Sequence, residues 1–237
     1  MSVAAPVTPA RAGASRNAPL RRLLLLGNPN TGKTTLFNRL CGMRAKTANF
    51  PGTTTDLRVG RLQLPQSAGA SEAFEVVDLP GLYSLKLDLP ESKVAADAVA
   101  GADGQLPAAA IIVADATNLS RHLMLVGELS RAGLPFVVAL NMIDLAHRRG
   151  LSFDLEKMSR AIGAPVIPIA ARSGKGIDQL LATLPQVCAE GALRPREANH
   201  AVIAAEELEL WAETVVAESV GGAGAVGSGS DTLLDRL

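Results

Sequence analysis

The sequence predicts an α/β fold, a doubly wound and mainly parallel sheet of the P-loop NTPase type, followed by a small C-terminal α-helical domain. Apolar runs suited to buried strands alternate with helical stretches along residues 20–186, and such alternation is typical of parallel sheets covered by helices on both faces. The first apolar run leads directly into residues 27–35, GNPNTGKTT, which fit the phosphate-binding pattern G-x-x-x-x-G-K-[ST].

Each residue type of this phosphate-binding segment has a physical role. Glycines let the chain turn sharply from the strand predicted at 23–26 into the helix predicted over 34–41, so that backbone N–H groups converge on phosphate oxygens. Lys33 supplies a positive charge for the β- and γ-phosphates, and the Thr34 hydroxyl is placed to ligate Mg²⁺. The predicted nucleotide-binding positions are Gly27, Asn28, Asn30, Thr31, Gly32, Lys33, Thr34 and Thr35.

The remaining elements follow from local patterns. Turn-forming residues at 66–71 predict a hairpin between the second and third strands. Pro90 and Glu91 are start signals for a helix over residues 90–100. The further predicted strands cover residues 57–64, 74–78, 109–114, 135–140 and 165–169.

The composition agrees with this fold class. Of the 237 residues, 48% are hydrophobic and 3% aromatic, which suits an aliphatic core around a parallel sheet. The formal net charge is +0 and argues against a general nucleic-acid-binding protein. Cys41 and Cys188 lie far apart without a C-x-x-C partner, so we expect neither a disulfide framework nor a zinc site. No run approaches the ~20 apolar residues that span a bilayer.

A D-x-x-G motif ends the third predicted strand. In the run VVDLPG at 76–81, Asp78 is expected near Mg²⁺, usually through a water, and the Gly81 N–H is expected near the γ-phosphate, whose presence it can sense. By itself a D-x-x-G sequence is not informative, because Asp and Gly are common in the turns that follow strands. Its position after the phosphate-binding segment is what makes it informative.

A guanine-binding pattern, N-[KM]-x-D, follows the fifth predicted strand as NMID at 141–144. Asp144 would accept hydrogen bonds from the guanine N1–H and exocyclic amine, which adenine does not offer in that pattern. Asn141 would brace the base and the phosphate-binding loop, and Met142 belongs to the same predicted site. The motifs in this order are specific for a GTP-binding site, whereas each motif alone is not.

Two weaker signals complete the predicted site. The Pro/Gly/Thr loop at 49–56, part of a switch loop predicted over residues 44–56, lies where a GTPase needs a switch threonine for Mg²⁺ and the γ-phosphate. Thr54 is the first choice, with Thr53 and Thr55 as competitors. After the strand at 165–169, the short run Ala170, Ala171 and Arg172 is expected to offer a backbone N–H to the guanine carbonyl.

Together these motifs resemble the cytosolic G domain of the ferrous-iron transport protein B (FeoB) family. The resemblance covers roughly residues 20–185. It is carried by GNPNTGKTTLFN at 27–38, NFPGTTTD at 49–56, DLPGLYSL at 78–85, DATNL at 115–119 and ALNMID at 139–144. It implies a module that binds GTP and GDP with Mg²⁺ and hydrolyses GTP, at the N-terminus of a bacterial iron permease.

The same resemblance implies the surroundings of this module. A small helical domain and then membrane-spanning helices would follow it, which places a soluble fragment on the cytoplasmic side of the bacterial inner membrane. The implied partners are guanine nucleotide, the membrane-embedded permease region and a small regulatory protein. No nucleic acid is expected.

Two positions bear on hydrolysis, for which the predicted catalytic residues are Lys33, Asn30, Thr54 and Gly81. Leu82 follows D-x-x-G where Ras-like proteins have a glutamine that orients water, and leucine cannot do so by hydrogen bonding. We therefore expect slow intrinsic turnover. The resemblance links Asn30 to a bound K⁺ that would stabilise charge developing in the transition state. The alternative is that Asn30 only tightens the turn by side-chain hydrogen bonding.

Three regions are predicted along the chain. Residues 1–19 lack apolar periodicity and are expected to form a disordered tail, with an organellar transit peptide as the alternative. Residues 20–186 are expected to form the G domain. Residues 187–237 are expected to form the helical domain, cut off before a membrane region.

Within the predicted helical domain, apolar spacing predicts a helix over 197–220 in which Trp211 is a packing anchor, and the Gly-rich residues 221–230 predict a linker. By resemblance this domain packs on the G domain and affects GDP affinity. The alternative, a mere spacer to the membrane, stays open.

Two other functions fit part of the pattern. A ribosome-assembly or tRNA-modification GTPase has similar motifs, but the zero net charge and the absence of a KH-like G-x-x-G segment with basic flanks argue against it. A nucleotide sensor with negligible hydrolysis is favoured by Leu82. A turnover assay separates the sensor from the GTPase.

Overall fold

The computed structural model describes residues 20–42, 46–49, 56–65, 71–193 and 207–222. Its strands are Arg21–Gly27 (β1), Lys46–Asn49 (β2), Asp56–Pro65 (β3), Ser71–Asp78 (β4), Ala109–Asp115 (β5), Phe136–Asn141 (β6), Ser152–Phe153 (β7), Val166–Pro168 (β8) and Val220–Gly221 (β9). Its helices are Lys33–Cys41 (α1), Pro90–Ala100 (α2), Leu119–Arg131 (α3), Ile143–Arg148 (α4), Leu155–Ile162 (α5), Ile177–Leu193 (α6) and Leu208–Ser219 (α7). Within these ranges, no helix has the length and apolar character needed to cross a bilayer.

The main sheet is mostly parallel and has the strand order β2-β3-β4-β1-β5-β6-β8. β1 pairs in parallel with β4 and β5, and β6 pairs in parallel with β5 and β8. β3 pairs antiparallel with both β2 and β4. The predicted α/β fold class and the predicted hairpin pairing of β3 with β4 are therefore confirmed, although residues 66–70 of the turn lie outside the described ranges.

Both faces of the sheet are buried at its central strand, β1. On β1 the four residues at 23–26 are all leucine and all 0% exposed. Leu24 and Leu26 pack in a cluster with residues of α2, α3 and α5, whereas Leu23 and Leu25 pack in a cluster with α1 and α6. Successive strand side chains point to opposite faces, so a continuous apolar run is what a strand covered on both sides requires.

β2 was not predicted. It lies inside residues 44–56, which are predicted to form a switch loop, and its four residues pair antiparallel with β3. The loop assignment is therefore wrong at 46–49. Lys46 and Thr47 are exposed on this edge strand, so β2 shows no apolar alternation that would reveal it in the sequence.

α6 continues beyond the predicted end of the G domain at residue 186. It runs through Pro185 to Leu193, so the predicted boundary falls inside a helix. Val187 and Cys188, on the far side of the proline, are buried in the cluster that covers β1. Burial of two such side chains stabilises by an amount comparable with the roughly 3 kcal/mol cost of an interior helix proline. The division into two domains stays a prediction.

α7 packs against the sheet-covering helices. Ala212 and Val215 are buried in the cluster that contains α3, and Trp211 packs against that cluster, as predicted for a packing anchor. The two helices approach closely at Gly127 of α3, where a Cβ atom would lie 2.2 Å from Leu208 Cδ1 and 3.1 Å from Trp211 Cζ3. This packing disfavours the interpretation of α7 as a mere spacer.

The described part of the predicted helix over 197–220 ends one residue early. Val220 and Gly221 form β9, which pairs antiparallel with β7. The Asp154 N–H donates to the Ser219 carbonyl at 2.8 Å and fixes the same end of α7. Gly221 therefore belongs to a strand and not to the predicted linker, whose residues 223–230 lie outside the described ranges.

Candidate nucleotide-binding site

The loop between β1 and α1, hereafter the P-loop, turns through two residues in the left-handed conformation. Gly32, the N-cap of α1, has φ 84°, and a Cβ atom there would lie 2.4 Å from Asn141 Nδ2. Only glycine fits this position without strain. Asn30 has φ 65°, which asparagine tolerates better than most residues. The turn presents Lys33 and Thr34, at the start of α1, to the cavity in front of the loop.

Asn141, at the end of β6, ties the P-loop to the loop at 170–172. It is 4% exposed. Its Nδ2 donates to the Thr31 carbonyl at 2.7 Å, and its Oδ1 accepts from the Ala171 N–H at 2.9 Å. One amide therefore fixes both loops relative to the sheet. This geometry supports the predicted bracing of the P-loop, whereas the predicted contact with the base stays a prediction.

Lys33 and the D-x-x-G motif meet beside the P-loop. The Lys33 ammonium donates to Asp78 Oδ1 and to the Leu79 carbonyl, and the two charged side chains are 11% and 5% exposed. They meet because β1 and β4 are parallel neighbours whose carboxyl ends lie at the same edge of the sheet. The cation predicted for the phosphates and the carboxylate predicted for Mg²⁺ are thus adjacent.

The end of the D-x-x-G motif lies on the P-loop. A Cβ atom at Gly81 would lie 3.2 Å from the Cα and N atoms of Pro29, and the Leu82 N–H donates to the Gly27 carbonyl at 3.3 Å. The Leu82 side chain is 1% exposed and belongs to the hydrophobic core. It therefore contributes no group to the cavity.

A cavity of about 560 Å³ lies where these segments meet. This volume is within the roughly 300–1,000 Å³ typical of ligand sites, and its position at the carboxyl ends of parallel strands is where open α/β sheets bind ligands. The cavity is lined by residues from three of the predicted motifs, namely Asn28, Pro29, Asn30, Gly32, Lys33, Thr34, Gly81 and Met142.

The guanine motif passes from β6 into α4. Met142 is the N-cap of α4 with φ 61°, an unfavourable conformation for a long side chain and one that is frequent at functional sites. Asp144 lies in the first turn of α4, where its side chain is 50% exposed and pairs with Arg148 at 3.4 Å. Exposed ion pairs of this kind are weak, so the Asp144 carboxylate is available to a ligand.

Some predicted residues lie elsewhere. Thr53, Thr54 and Thr55 are outside the described residues, so the switch threonine stays a prediction. Thr35 is exposed on α1 and does not line the cavity. Thr31 is buried, and its hydroxyl donates to the Asn28 carbonyl at 3.0 Å, which makes it part of the loop's internal structure.

This ordered set of motifs around one cavity corresponds to a known family. A family model described as "Ferrous iron transport protein B" (FeoB_N) matches residues 21–184. The chain belongs to this family. The match runs from β1 into α6, and the resemblance inferred from the motifs is confirmed.

Curated FeoB proteins are similar to the chain over the same region. An Fe(2+) transporter FeoB of Legionella pneumophila (strain Paris) is 41% identical over 165 residues, which are 68% of this chain and 21% of that protein. An Fe(2+) transporter FeoB of Salmonella typhimurium (strain LT2) is 39% identical over 161 residues, which are 66% of this chain and 20% of that protein. The chain thus spans about a fifth of the length of these relatives.

Solved FeoB structures share the fold. The cytosolic domain of L. pneumophila FeoB is 40% identical with a TM-score of 0.63, over 70% of this chain and 63% of that one. A mutant S. thermophilus NFeoB bound to GDP is 33% identical with a TM-score of 0.61, over 78% of this chain and 65% of that one.

One contact of this FeoB domain was missed in the sequence. Arg39 of α1 donates from Nε to the Ala171 carbonyl at 3.1 Å and from Nη2 to the Arg172 carbonyl at 2.6 Å. The Ala170 N–H donates to the Lys175 carbonyl at 3.0 Å and closes the same loop. Arg39 and Ala171 are 132 positions apart, and a single arginine on an exposed helix face has no local pattern that identifies so distant a partner.

Asn141→Ala should destabilise this FeoB domain by about 2–6 kcal/mol, because the buried Thr31 carbonyl and Ala171 N–H each lose a partner at roughly 1–3 kcal/mol. Urea denaturation followed by circular dichroism measures the change. The matched control is Asn38→Ala, since Asn38 is exposed on α1 and, among the described residues, its side chain bonds only to the half-buried Arg58. A change for Asn141→Ala no larger than that of the control would contradict the bridging role.

Proposed function

We propose that this chain is the guanine-nucleotide-binding and GTP-hydrolysing regulatory domain of a ferrous-iron transporter. The observation that carries the proposal is the cavity at which the P-loop, Gly81 and Met142 converge. Family membership supports the link to iron transport. The chain covers about a fifth of relatives named Fe(2+) transporter, so the proposed partner is a permease region beyond the matched residues, at the cytoplasmic side of the bacterial inner membrane, with a small regulatory protein as a further partner.

In this proposal the P-loop binds the phosphates. Its backbone N–H groups and the N-terminus of α1 contact phosphate oxygens, where a helix end favours negative charge. Lys33, whose ammonium bonds to Asp78 and the Leu79 carbonyl, turns to the β- and γ-phosphates. The Gly81 N–H, held beside Pro29, contacts the γ-phosphate. The charge that develops as the terminal phosphate leaves is stabilised by these fixed donors.

Thr34, which lines the cavity, and Asp78, which is bonded to the cavity residue Lys33, fit Mg²⁺. The Thr34 hydroxyl and the Asp78 carboxylate are the hard oxygen ligands that Mg²⁺ prefers, and it usually keeps several waters besides. Thr54 is the proposed switch ligand. When bound, Mg²⁺ neutralises charge on the β- and γ-phosphate oxygens.

The base contacts the opposite end of the site. Asp144 accepts from guanine N1–H and the exocyclic amine, and Asn141 keeps the base near the P-loop. Of the loop at 170–172, the N–H groups of Ala170 and Ala171 are already bonded to the Lys175 carbonyl and to Asn141 Oδ1. In the described part of the chain the Arg172 N–H has no acceptor, so it is our choice as donor to the guanine carbonyl.

Competition binding tests the proposed ligand class. The chain should bind a fluorescent GDP analogue with Mg²⁺, unlabelled GDP should displace it at equimolar concentration, and ADP should fail at about a hundredfold excess, a difference of roughly 2.7 kcal/mol. Equal displacement by GDP and ADP would contradict a guanine site.

Asn30 is proposed as a K⁺ ligand. It is exposed at the cavity, and among the described residues its side chain has no hydrogen-bond partner, which disfavours the alternative of a turn-tightening role. GTP hydrolysis should therefore be faster in KCl than in NaCl at equal ionic strength, by about tenfold or more. Asn30→Ala should remove this difference, and Asn38→Ala should keep it. Equal rates of the wild type in both salts would contradict the cation role.

A second function is favoured by one observation. Because the Leu82 side chain is buried in the core, it cannot position water, and a nucleotide sensor with negligible hydrolysis fits this feature. Single-turnover hydrolysis with excess protein separates the two functions, since a sensor binds GTP without releasing phosphate.

A further inference from the structure

Glu128 of α3 is bonded to the segment that follows the D-x-x-G motif. Its Oε1 accepts from the Ser84 hydroxyl at 2.6 Å and its Oε2 accepts from the Leu85 N–H at 2.6 Å. The residue is 9% exposed, and among the described residues it forms no ion pair. Burying a carboxylate costs free energy unless hydrogen bonds compensate. The two bonds from residues 84–85 therefore account for its position.

Ser84 is held from its other side by α2. The Ser92 hydroxyl, 0% exposed in the first turn of α2, donates to the Ser84 carbonyl at 2.7 Å. The Ser84 hydroxyl also accepts from the Lys86 N–H at 3.1 Å. That bond directs the hydroxyl proton to Glu128, so Ser84 is fixed between α2 and α3.

A second contact joins the same helix to the same segment. The guanidinium of Arg121 lies 4.3 Å from the ring centroid of Tyr83. Arg121 and Glu128 are seven residues apart and lie on one face of α3. Gly81 is thus bounded on one side by the P-loop, through the Leu82 N–H bond to Gly27, and on the other by a segment fastened to α3.

We propose that Glu128 is a positioning residue for GTP hydrolysis. Its carboxylate holds residues 84–85 so that the Gly81 N–H is placed for the γ-phosphate. The inference rests on the proposed function. GDP has no γ-phosphate and does not use Gly81, so loss of the Glu128 bonds weakens binding of a triphosphate and slows hydrolysis while leaving GDP binding unchanged.

The test compares two substitutions at this position. Glu128→Ala leaves the Ser84 hydroxyl and the Leu85 N–H without a partner. Glu128→Gln keeps a hydrogen bond at both places, because its amide oxygen accepts from Leu85 and its amide nitrogen donates to Ser84 Oγ, with the direction of the Ser84 bond reversed. Ser84→Ala removes one of the two bonds by changing the partially exposed Ser84 instead of the buried Glu128. It replaces Glu128→Ala as the test variant if Glu128→Ala folds poorly. Leu129→Ala, the next residue on α3 and 0% exposed, is the control for destabilisation alone.

Dissociation constants for GDP and GTPγS and the kcat and KM for GTP are measured for each variant. Glu128→Ala should lower kcat and the affinity for GTPγS about tenfold each, the effect of losing hydrogen bonds to a charged group. The GDP affinity of Glu128→Ala should stay within about twofold of the wild type. Glu128→Gln should keep a kcat and a GTPγS affinity near those of the wild type, and Ser84→Ala should lower both by less than Glu128→Ala does.

Three outcomes overturn the inference. They are an equal loss of GDP and GTPγS affinity in Glu128→Ala, a Glu128→Gln variant as impaired as Glu128→Ala, and the same selective loss in Leu129→Ala. Failure of the proposed function is distinct, because the wild type itself would then bind neither nucleotide, or would bind both without releasing phosphate from GTP.

Discussion

Asp144→Asn should change the base preference of the site from guanine to xanthine. The carboxylate is proposed to accept two hydrogen bonds, from N1–H and from the exocyclic amine, and asparagine has no acceptor for the amine, so losing that bond to a charged group lowers GDP affinity by roughly 10–10²-fold. Xanthine has a carbonyl where guanine has the amine, and the asparagine amide donates to that carbonyl while its oxygen still accepts from N1–H. XDP should therefore bind the variant better than GDP does. Fluorescence competition with the two diphosphates measures both changes.

The matched control for this exchange is Asp178→Asn. Asp178 is an exposed aspartate in the first turn of α6, as Asp144 is in α4. Asp178→Asn should keep the affinities for GDP and XDP within about twofold of those of the wild type, since an exposed first-turn charge contributes only ~0.3–1 kcal/mol to its helix. If Asp144→Asn behaves like Asp178→Asn, the guanine assignment of residues 141–144 is wrong.

Lys33→Ala should reduce GTP turnover by roughly 10²–10³-fold, because it removes a fixed donor from charge that develops in the transition state. It should also destabilise the protein without nucleotide by about 3 kcal/mol, since it leaves the buried Asp78 carboxylate without its cation. Phosphate release and urea denaturation measure the two effects.

Lys93→Ala is the control for Lys33→Ala, since Lys93 is an exposed lysine on α2. In this control, the activation free energy of GTP turnover and the free energy of unfolding should each change by no more than ~0.5 kcal/mol. A Lys33→Ala variant that keeps turnover within about tenfold of the wild type would exclude the electrostatic role proposed for Lys33.

The elements that could be predicted are those with a strong local pattern. β1, β5 and β6 follow from apolar runs, since strands buried on both faces need apolar residues at every position. α2 begins at Pro90 as predicted and ends at Gly101, a left-handed C-cap with φ 68°, because both residues fix the backbone at a helix end. β2 has the sequence KTAN, in which no apolar alternation marks a strand.

The contacts of the site likewise divide into those that could and those that could not be predicted from the sequence. The P-loop positions could be predicted because they depend on backbone turns and on one charge close in sequence. The Lys33–Asp78 pair, the bonds of Arg39 to the loop at 170–172 and the Glu128–Ser84 bond could not be predicted. Each joins residues that are far apart in the chain, and their geometry exists only once β1, β4 and the helices are packed.

Single-turnover phosphate release with Mg²⁺ and excess protein measures whether the cavity between the P-loop, Gly81 and Met142 hydrolyses GTP. The wild type should release phosphate from GTP faster than Lys33→Ala does at equal protein concentration. With ATP, the wild type should release phosphate only at the rate that Lys33→Ala shows with GTP. GTP cleavage no faster than that of Lys33→Ala, or equal cleavage of GTP and ATP, would mean that this cavity is not a site of GTP hydrolysis.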